Sequence, residues 1–337
     1  MKKQEALFWN ALEDGRVECK LCPHNCKIKD KQYGFCKVRY AENNKLFTPH
    51  YKKVATGGQI DPIEKKPFYH FLPGSKSLSF GGLGCNLKCQ HCQNSSLSQE
   101  YDSRMLISTE AQQIVNLAIQ RNCKSVAWTY NEPTIHFETY YEWSKVIKNN
   151  DLYTVMVSNG YINKEPLEKL APFLDAINID VKAFTDEFYK KYTKSTLQPV
   201  LESCILSKKL GLHLEIIYLV IPTINDSKQE IGKFLDWVIE NLGDDVPIHF
   251  SRFHPAYKMF YLSATPEEKV IEAVELALSK KIKYAYAGNL YPNPYINTLC
   301  PSCKKVVIKR DTFGKPQINL VNNNLCEFCD ESVSVIV

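Results

Sequence analysis

The chain has no long apolar run, no surplus of one charge and no internal repeat, and each absence removes a class of protein. None of its hydrophobic stretches approaches the ~18 residues that a membrane-spanning helix needs. The opening MKKQEALFWNALEDG is charged and has no apolar core segment, so a secretory leader is not expected and a cytoplasmic setting is. Lys and Arg number 42 against 37 Asp and Glu, a net charge of +5. That excess is small and dispersed, and no dense patch of arginine and aromatics accompanies it, which argues against a nucleic-acid binder. No unit recurs at solenoid or propeller spacing, and the nearest approach to low complexity, Asn322–Asn324, reads as a turn. With 337 residues, 44% of them hydrophobic and 23% charged, the chain can bury its own core without disulfides. Its length suits one large domain with attachments, or two to three small ones.

Cysteine is what the chain has in excess: there are 13, and they are grouped. Cys19, Cys22, Cys26 and Cys36 form one set, Cys85, Cys89 and Cys92 a second, and Cys300, Cys303, Cys326 and Cys329 a third. Tight C-x2-C spacings within an odd total do not resemble a disulfide framework, and clustered thiolates in a chain without an export signal bind metal. Cys123 and Cys204 stand alone in apolar contexts and read as buried packing.

From about Ser75 to Leu290, short β-branched and aromatic runs alternate with longer amphipathic segments. Strands are expected at Leu78–Phe80, Ser125–Tyr130, Tyr153–Ser158, Ala176–Val181, His213–Val220, Ile248–Phe253 and Lys283–Ala287. Helices are expected at Thr109–Arg121, Thr134–Asn149, Lys164–Ala171, Thr196–Leu210, Ser227–Asn241 and Pro266–Ser279. Such alternation predicts an α/β fold of repeated βαβ units with a parallel sheet, either a complete or partial (β/α) barrel or a doubly wound open sheet. Before it, a helix is expected at about Glu5–Asp14 and an irregular stretch over Asp61–Gly74, with Lys65 and Lys66 as surface charge or, alternatively, a basic pair facing a substrate. After it, a compact tail is expected, with a β-rich stretch at Val306–Arg310 and a loop at Gly314.

The strand ends carry the polar residues: GGLGCNLKCQHCQN after the first strand, TYNEP after the second, SNG after the third, DVK after the fourth and SRFHP after the sixth. In parallel α/β folds the site lies at those carboxyl ends. Cys85, Cys89 and Cys92, spaced C-x3-C-x2-C, can hold three irons of a [4Fe–4S] cluster and leave the fourth for a chelating ligand. Gly81, Gly82 and Gly84 let backbone N–H groups approach the sulfurs. The competing reading is zinc with His91 as fourth ligand, but His91 is wedged between Cys89 and Cys92 and is poorly placed to close a tetrahedron. Each remaining residue has a plain structural reading: Glu132 as a carboxylate at a helix N-terminus, Asp180 and Lys182 as an ion pair on one strand face, and His254 as a turn cap before Pro255.

The triplet spacing resembles that of the radical S-adenosylmethionine (radical SAM) superfamily. TYNEP (Thr129–Pro133) is similar to that superfamily's GGEP-type element, with Tyr130 and Asn131 in place of the glycines. The resemblance implies that Glu132 receives the methionine ammonium of S-adenosylmethionine, that Asn159 of Ser158–Gly160 and the pair Asp180 and Lys182 handle its carboxylate and ribose, and that His254 approaches its nucleoside. It assigns no catalytic side chain beyond cluster and cofactor. Val157 stands where activating-enzyme-type members usually carry an acidic residue, which argues against an associated cation site. At closer range CKLCPHNC with Cys36-Lys-Val-Arg39, DPIEKKPFYHF, GCNLKCQHCQN, TYNEPT, DVKAF, FHPAYKM and the closing NTLCPSC…CEFC resemble the AmmeMemoRadiSam system radical SAM enzymes, a group related to pyruvate formate-lyase activating enzymes. The likeness runs over nearly the whole chain. It implies a partial (β/α)6-type TIM-like barrel at 75–290, an N-terminal four-cysteine module and connector at 1–74 and a zinc-ribbon-like tail at 291–337.

Cys300-x2-Cys303 and Cys326-x2-Cys329, separated by 22 residues, have zinc-ribbon spacing. Lys304 and Asp330 occupy the positions after each knuckle where glycine would ease a positive φ. For Cys19, Cys22, Cys26 and Cys36, zinc and an auxiliary iron–sulfur cluster both fit, with the spacing favouring zinc; His24 is a substitute ligand or a solvent-facing side chain. The cofactors expected are therefore a [4Fe–4S] cluster, S-adenosylmethionine and Zn2+. The partners implied are a flavodoxin- or ferredoxin-type reductant with either AMMECR-type and Memo-type proteins or a glycyl-radical enzyme; no membrane or nucleic-acid partner is expected. The rival functions are a glycyl-radical enzyme activase, an RNA-modifying enzyme and a non-catalytic zinc scaffold.

Overall fold

The computed structural model describes residues 4–311 and 315–337. The expected loop at Gly314 lies outside the described residues. At the centre is an eight-stranded sheet whose strands follow one another in chain order. They are β1 (Thr56–Pro62), β2 (Lys76–Gly81), β3 (Ser125–Trp128), β4 (Tyr153–Ser158), β5 (Ala176–Asp180), β6 (His213–Val220), β7 (Ile248–Arg252) and β8 (Ala285–Gly288). Strands β2 to β8 are parallel, and β1 pairs antiparallel with β2 at the edge. A doubly wound sheet reverses its order at the first strand. This one does not, so that alternative is excluded.

The connecting helices are α1 (Ala111–Gln120), α2 (Phe137–Lys148), α3 (Lys164–Leu170), α4 (Gln198–Lys209), α5 (Lys228–Leu242) and α6 (Glu267–Ser279). All six match the periodic segments of the sequence to within a few residues. Their apolar sides cover one sheet face: Trp128 of β3 stacks on Tyr140 of α2 at 4.4 Å and donates its indole N–H to Ser144 Oγ at 2.9 Å. Cys123 and Cys204 are buried in these helix–sheet cores, as their apolar surroundings suggest.

Two expectations fail. The segment Glu5–Asp14 is not helical: Gln4–Glu5 pairs with Lys45–Thr48, and Trp9–Ala11 pairs with Val17–Cys19. A run this short is marginal as an isolated helix. Here Phe8 turns to φ 55°, while the Leu7 N–H donates to Glu138 Oε1 at 2.7 Å and its carbonyl accepts from Arg39 Nη1 at 2.8 Å. Tertiary partners thus claim the backbone groups that a helix would use. The second miss is β1, whose TGGQIDP has no alternation. Glycine and terminal proline are tolerated because it is an edge strand, and a Cβ on Gly57 would sit 2.1 Å from the Phe80 ring.

Residues 63–72 fold under the sheet's other face. Phe68, Phe71 and Leu72 pack on Ala127, Val155 and Ala176, and Asn178 Nδ2 donates to the Pro67 carbonyl at 2.5 Å. Glu215 of β6 anchors this plug: its carboxylate accepts from the backbone N–H groups of Tyr69 (3.0 Å) and His70 (2.8 Å) and pairs with His213 (3.0 Å) and His249 (2.6 Å). The plug and the docked end of the chain, where Ile336 N–H donates to the His70 carbonyl, leave the carboxyl ends of the strands open.

Burial alone would raise the Glu215 carboxyl, but the hydrogen bonds from His213 and His249 outweigh it and hold the pKa well below the ordinary 4.5. A carboxylate depressed in the folded state adds stability that is present above its unfolded value and lost as pH falls through the folded one. Glu215→Leu strands two backbone donors and two imidazoles in the interior. It is expected to cost roughly 3–5 kcal/mol at neutral pH. In denaturant titrations the gap from the unsubstituted chain should narrow as pH drops below 4.5.

The tail is β-rich as expected, with Thr298–Leu299, Val306–Lys309 and Gln317–Ile318 in one small sheet and a turn at Asn322–Asn324. Buried Arg310 ties it to the plug through the Tyr69 carbonyl at 2.5 Å. No helix among the described residues is long and apolar enough to cross a membrane.

Candidate metal and cofactor site

The loop leaving β2 carries Cys85, Cys89 and Cys92 into a cavity of about 410 Å³ at the carboxyl ends of the parallel strands. The same cavity is lined by Glu132, Asn159, Asp180, Lys182 and His254 from the exits of β3, β4, β5 and β7. Residues far apart in the chain therefore converge, as the strand-end argument requires.

Glycine is needed before the cysteines, though not for the reason expected. A Cβ on Gly81 would lie 2.6 Å from the Thr129 carbonyl, and one on Gly82 would lie 2.3 Å from His136 Nε2. Gly84 has φ 88°, and its Cβ would meet the Cys36 carbonyl at 2.8 Å. The glycines admit neighbouring elements rather than direct approach to sulfur. The donors to Cys85 Sγ are the Leu87 N–H at 3.3 Å and Asn159 Nδ2 at 3.6 Å.

Burial pushes the Cys85 and Cys92 thiols up, and the Cys89 thiol to about 12. Thiols raised in this way stay protonated unless a metal core takes their charge. The donor set is soft, and the cavity lining holds no fourth cysteine. His91 is buried against Phe188, and neither ring nitrogen has a hydrogen-bond partner. Burial, with Lys182 nearby, lowers its pKa to about 3, so it offers a neutral imidazole to whatever fills the cavity. Orphaned donors and acceptors of this kind fit a site shaped for a bound group.

Glu132 follows β3 and is buried. Its Oε1 accepts from the Thr134 N–H and Ser158 Oγ, each at 2.9 Å, and its Oε2 from the Asn159 N–H at 2.8 Å. It also caps the 3-10 turn Pro133–His136, so the helix-end reading of Glu132 is realised too. Burial raises its pKa, opposed by those three donors. Asn159 bridges outward from Glu132: its side chain donates to Asn86 Oδ1 at 2.9 Å as well as to the sulfur. Asp180 and Lys182 form an ion pair at 3.1 Å. Burial works against the Lys182 charge, but the Asp180 carboxylate and the Cys89 sulfur outweigh it and raise the pKa. His254 is exposed at the rim.

Two contributors escaped the sequence reading, and a third, Lys66, stood in it only as an alternative. Asn131 clamps the cysteine loop, accepting from the Gly82 N–H at 2.9 Å and donating to the Gly84 carbonyl at 3.0 Å. Tyr130 takes φ 72°, a left-handed geometry that favours glycine, and its place in TYNEP where the similar element carries glycine was the available signal. Of the two readings of the lysine pair, surface charge fits Lys65 and the cavity-facing alternative fits Lys66. It is buried in the cavity wall, paired with Asp61 at 2.8 Å and lying 4.6 Å over the Tyr130 ring, whereas Lys65 beside it is 70% exposed.

The flanking cysteine sets lie outside this cavity. Cys300 and Cys329 sulfurs are 3.6 Å apart and those of Cys303 and Cys326 are 3.7 Å apart, and all four lie within 4.8 Å of one another. Lys304 and Asp330 take φ 60° and 58°, the strained geometry expected after each knuckle. Cys19, Cys22, Cys26 and Cys36 surround a small apolar pocket. His24 is not solvent-facing: its Nε2 lies 2.7 Å from the Asn86 carbonyl, and its ring packs on Phe35 and Tyr161.

Two buried thiols and one half-buried thiol share a strand-end cavity of this α/β protein with a shielded carboxylate and an unpartnered imidazole, a donor set that suits a metal-bound cofactor. The family model for the radical SAM superfamily matches residues 81–237, from the end of β2 into α5. The chain is 41% identical to Uncharacterized protein MJ0808 of Methanocaldococcus jannaschii, over 99% of this chain and 100% of that one. It is 22% identical to the pyruvate formate-lyase-activating enzyme of Clostridium pasteurianum, over 63% of this chain and 90% of that one. The fold is similar to that of Streptococcus suis SuiB bound to S-adenosylmethionine, with TM-score 0.51 and 14% identity, over 66% of this chain and 50% of SuiB. Residues 81–237 thus match the radical SAM superfamily, and the chain is similar in sequence to a glycyl-radical activating enzyme.

Proposed function

We propose that this chain is an enzyme that binds a [4Fe–4S] cluster through Cys85, Cys89 and Cys92 with S-adenosylmethionine beside it, and acts on a protein or protein-associated substrate. The observation that carries the reading is the single cavity into which those thiols open together with Glu132, Asn159, Asp180 and Lys182, with no fourth cysteine in the lining. When bound, cluster and cofactor supply reductive cleavage to a 5′-deoxyadenosyl radical that abstracts hydrogen. The chain's own residues position and shield. Glu132, its carboxylate already oriented by three donors, suits an ammonium; Lys182 suits a carboxylate; Asp180 suits ribose hydroxyls; Asn159 steadies Cys85; and His254 at the rim suits the nucleoside.

We read the open, consecutively ordered sheet as a partial (β/α)6-type barrel at 75–290, flanked by the modules at 1–74 and 291–337. The sulfur spacing of Cys300, Cys303, Cys326 and Cys329 supports a structural zinc, since bonds of about 2.3 Å set tetrahedral sulfurs roughly 3.8 Å apart. Cys326→Ala is expected to remove about one zinc per chain and make the tail protease-sensitive while the iron is retained; metal analysis with limited proteolysis checks this.

A flavodoxin- or ferredoxin-type reductant and a cytoplasmic setting accompany this reading. The ordered motifs from CKLCPHNC to CEFC support membership of the AmmeMemoRadiSam group and hence AMMECR-type and Memo-type partners. Relatedness to the Clostridium activating enzyme supports a second reading, in which the substrate is the backbone glycine of a glycyl-radical enzyme. Anaerobic incubation with dithionite and S-adenosylmethionine should release 5′-deoxyadenosine and methionine. Deuterium carried from one candidate substrate into 5′-deoxyadenosine chooses between the two readings. A chain that stays iron-free after reconstitution, holding zinc alone, would be a scaffold and would end the proposal.

A further inference from the structure

The three cysteine sets differ in how far apart their sulfurs stand. Among the described residues, the Cys300 set is the group whose ligand atoms all lie within 4.8 Å of one another, the spacing of a single tetrahedral ion. The Cys85 triplet does not meet that spacing, and neither do any three of Cys19, Cys22, Cys26 and Cys36. The N-terminal thiols surround a chamber walled by Leu21, Ile28, Phe35 and Ile135. Gly34 keeps it open: a Cβ there would lie 3.1 Å from Ile28 Cδ1 and 3.7 Å from Cys26 Sγ.

We infer that Cys19, Cys22, Cys26 and Cys36 hold a second, fully cysteine-ligated [4Fe–4S] cluster and not zinc. A cubane interposes four irons and four sulfides between its thiolates, so it needs sulfurs that stand apart, whereas one ion needs them gathered. The surroundings match those of a cluster. Arg39 Nη1 and the Phe35 N–H each point at a sulfur, of Cys19 and Cys26 respectively, at 3.5 Å. Cys85 is served in the same way by one side chain and one backbone N–H. Apolar walls and N–H···S contacts are the levers that set cluster potentials.

The chamber is seated against the loop of the cavity cluster by two short routes. His24, between Cys22 and Cys26, meets the carbonyl of Asn86, and the Cys36 carbonyl abuts Gly84. Asn86 and Gly84 flank Cys85. With four thiolate ligands the second cluster has no open iron for a substrate. Its part is to take one electron from a flavodoxin- or ferredoxin-type donor, passing from 2+ to 1+, and to return to 2+ by reducing the cavity cluster from 2+ to 1+. This electron transfer rests on the function proposed above; the ligation does not.

The test is metal analysis and low-temperature EPR on the whole chain, purified anaerobically and reconstituted. The unsubstituted chain should hold about eight irons and about one zinc. The triple variant C85A/C89A/C92A should keep about four irons, with a dithionite-reduced signal that S-adenosylmethionine leaves unchanged. C22A/C26A should lose about four irons and keep the S-adenosylmethionine-sensitive signal. About four irons with two zincs in the unsubstituted chain, or an iron-free triple variant, overturns the inference. If the triple variant holds its iron while the unsubstituted chain never cleaves S-adenosylmethionine, the second cluster stands and the proposed function falls.

Discussion

Cys89→Ala is expected to reduce 5′-deoxyadenosine formation to background, a loss of at least about a hundredfold, and to lower iron by about four atoms per chain. Cys89 is buried, and its surroundings raise the thiol to about 12, so the sulfur tolerates negative charge only against a metal core. Two thiolates at Cys85 and Cys92 cannot restore the set, because the cavity lining offers no fourth cysteine to substitute. The fold should survive: Cys89 sits on a loop whose backbone is held by Thr193 and Tyr192 carbonyls, through Lys88 N–H at 2.7 Å and Gln90 N–H at 3.0 Å. An unchanged far-UV spectrum therefore serves as the control. Undiminished deoxyadenosine production would refute the assignment of this triplet.

Glu132→Ala should weaken S-adenosylmethionine binding by roughly a hundredfold, measured by the loss of cofactor-induced change in the cluster's EPR signal. Its carboxylate accepts three hydrogen bonds inside the protein, and alanine leaves the Thr134 N–H, Ser158 Oγ and Asn159 N–H without their acceptor. Each stranded donor costs about 1–3 kcal/mol, so thermal stability should fall as well. Glu132→Gln separates the two effects. It keeps the volume but turns one acceptor into a donor facing other donors, because both oxygens are engaged. It should stay closer to the unsubstituted chain in melting temperature than the alanine variant while still losing cofactor response. A glutamine variant with unaltered cofactor response would leave Glu132 as a helix cap alone.

Much of the molecule is legible in the chain because parallel βαβ units write both their periods into it. The seven parallel strands and six helices fall where apolar runs of β-branched residues alternate with amphipathic segments, since a strand buried on both faces and a helix buried on one carry different patterns. The site was legible for a related reason. Strand exits such as TYNEP and DVK are short polar interruptions of apolar strands, and a break in the apolar pattern is visible in the chain itself. What fails is what lacks a period or carries a misleading one. The edge strand Thr56–Pro62 is rich in glycine and capped by proline, and the apolar residues near Glu5–Asp14 imitate a helix. Lys66 could be read as surface charge because its burial depends on Asp61 and on the Tyr130 ring brought over from the exit of β3.

The chain by itself determined the thiol groups, the α/β alternation and the polar strand ends, because covalent spacing and hydrophobic periodicity are properties of neighbours in sequence. Only the tertiary structure decided which residues share a cavity, how far apart each set of sulfurs stands, and that Asn131, Lys66 and His91 belong to the wall. Those depend on contacts across tens to hundreds of residues, such as His24 against Asn86 and Glu215 against Tyr69, and no local pattern encodes a distance between segments that only packing brings together.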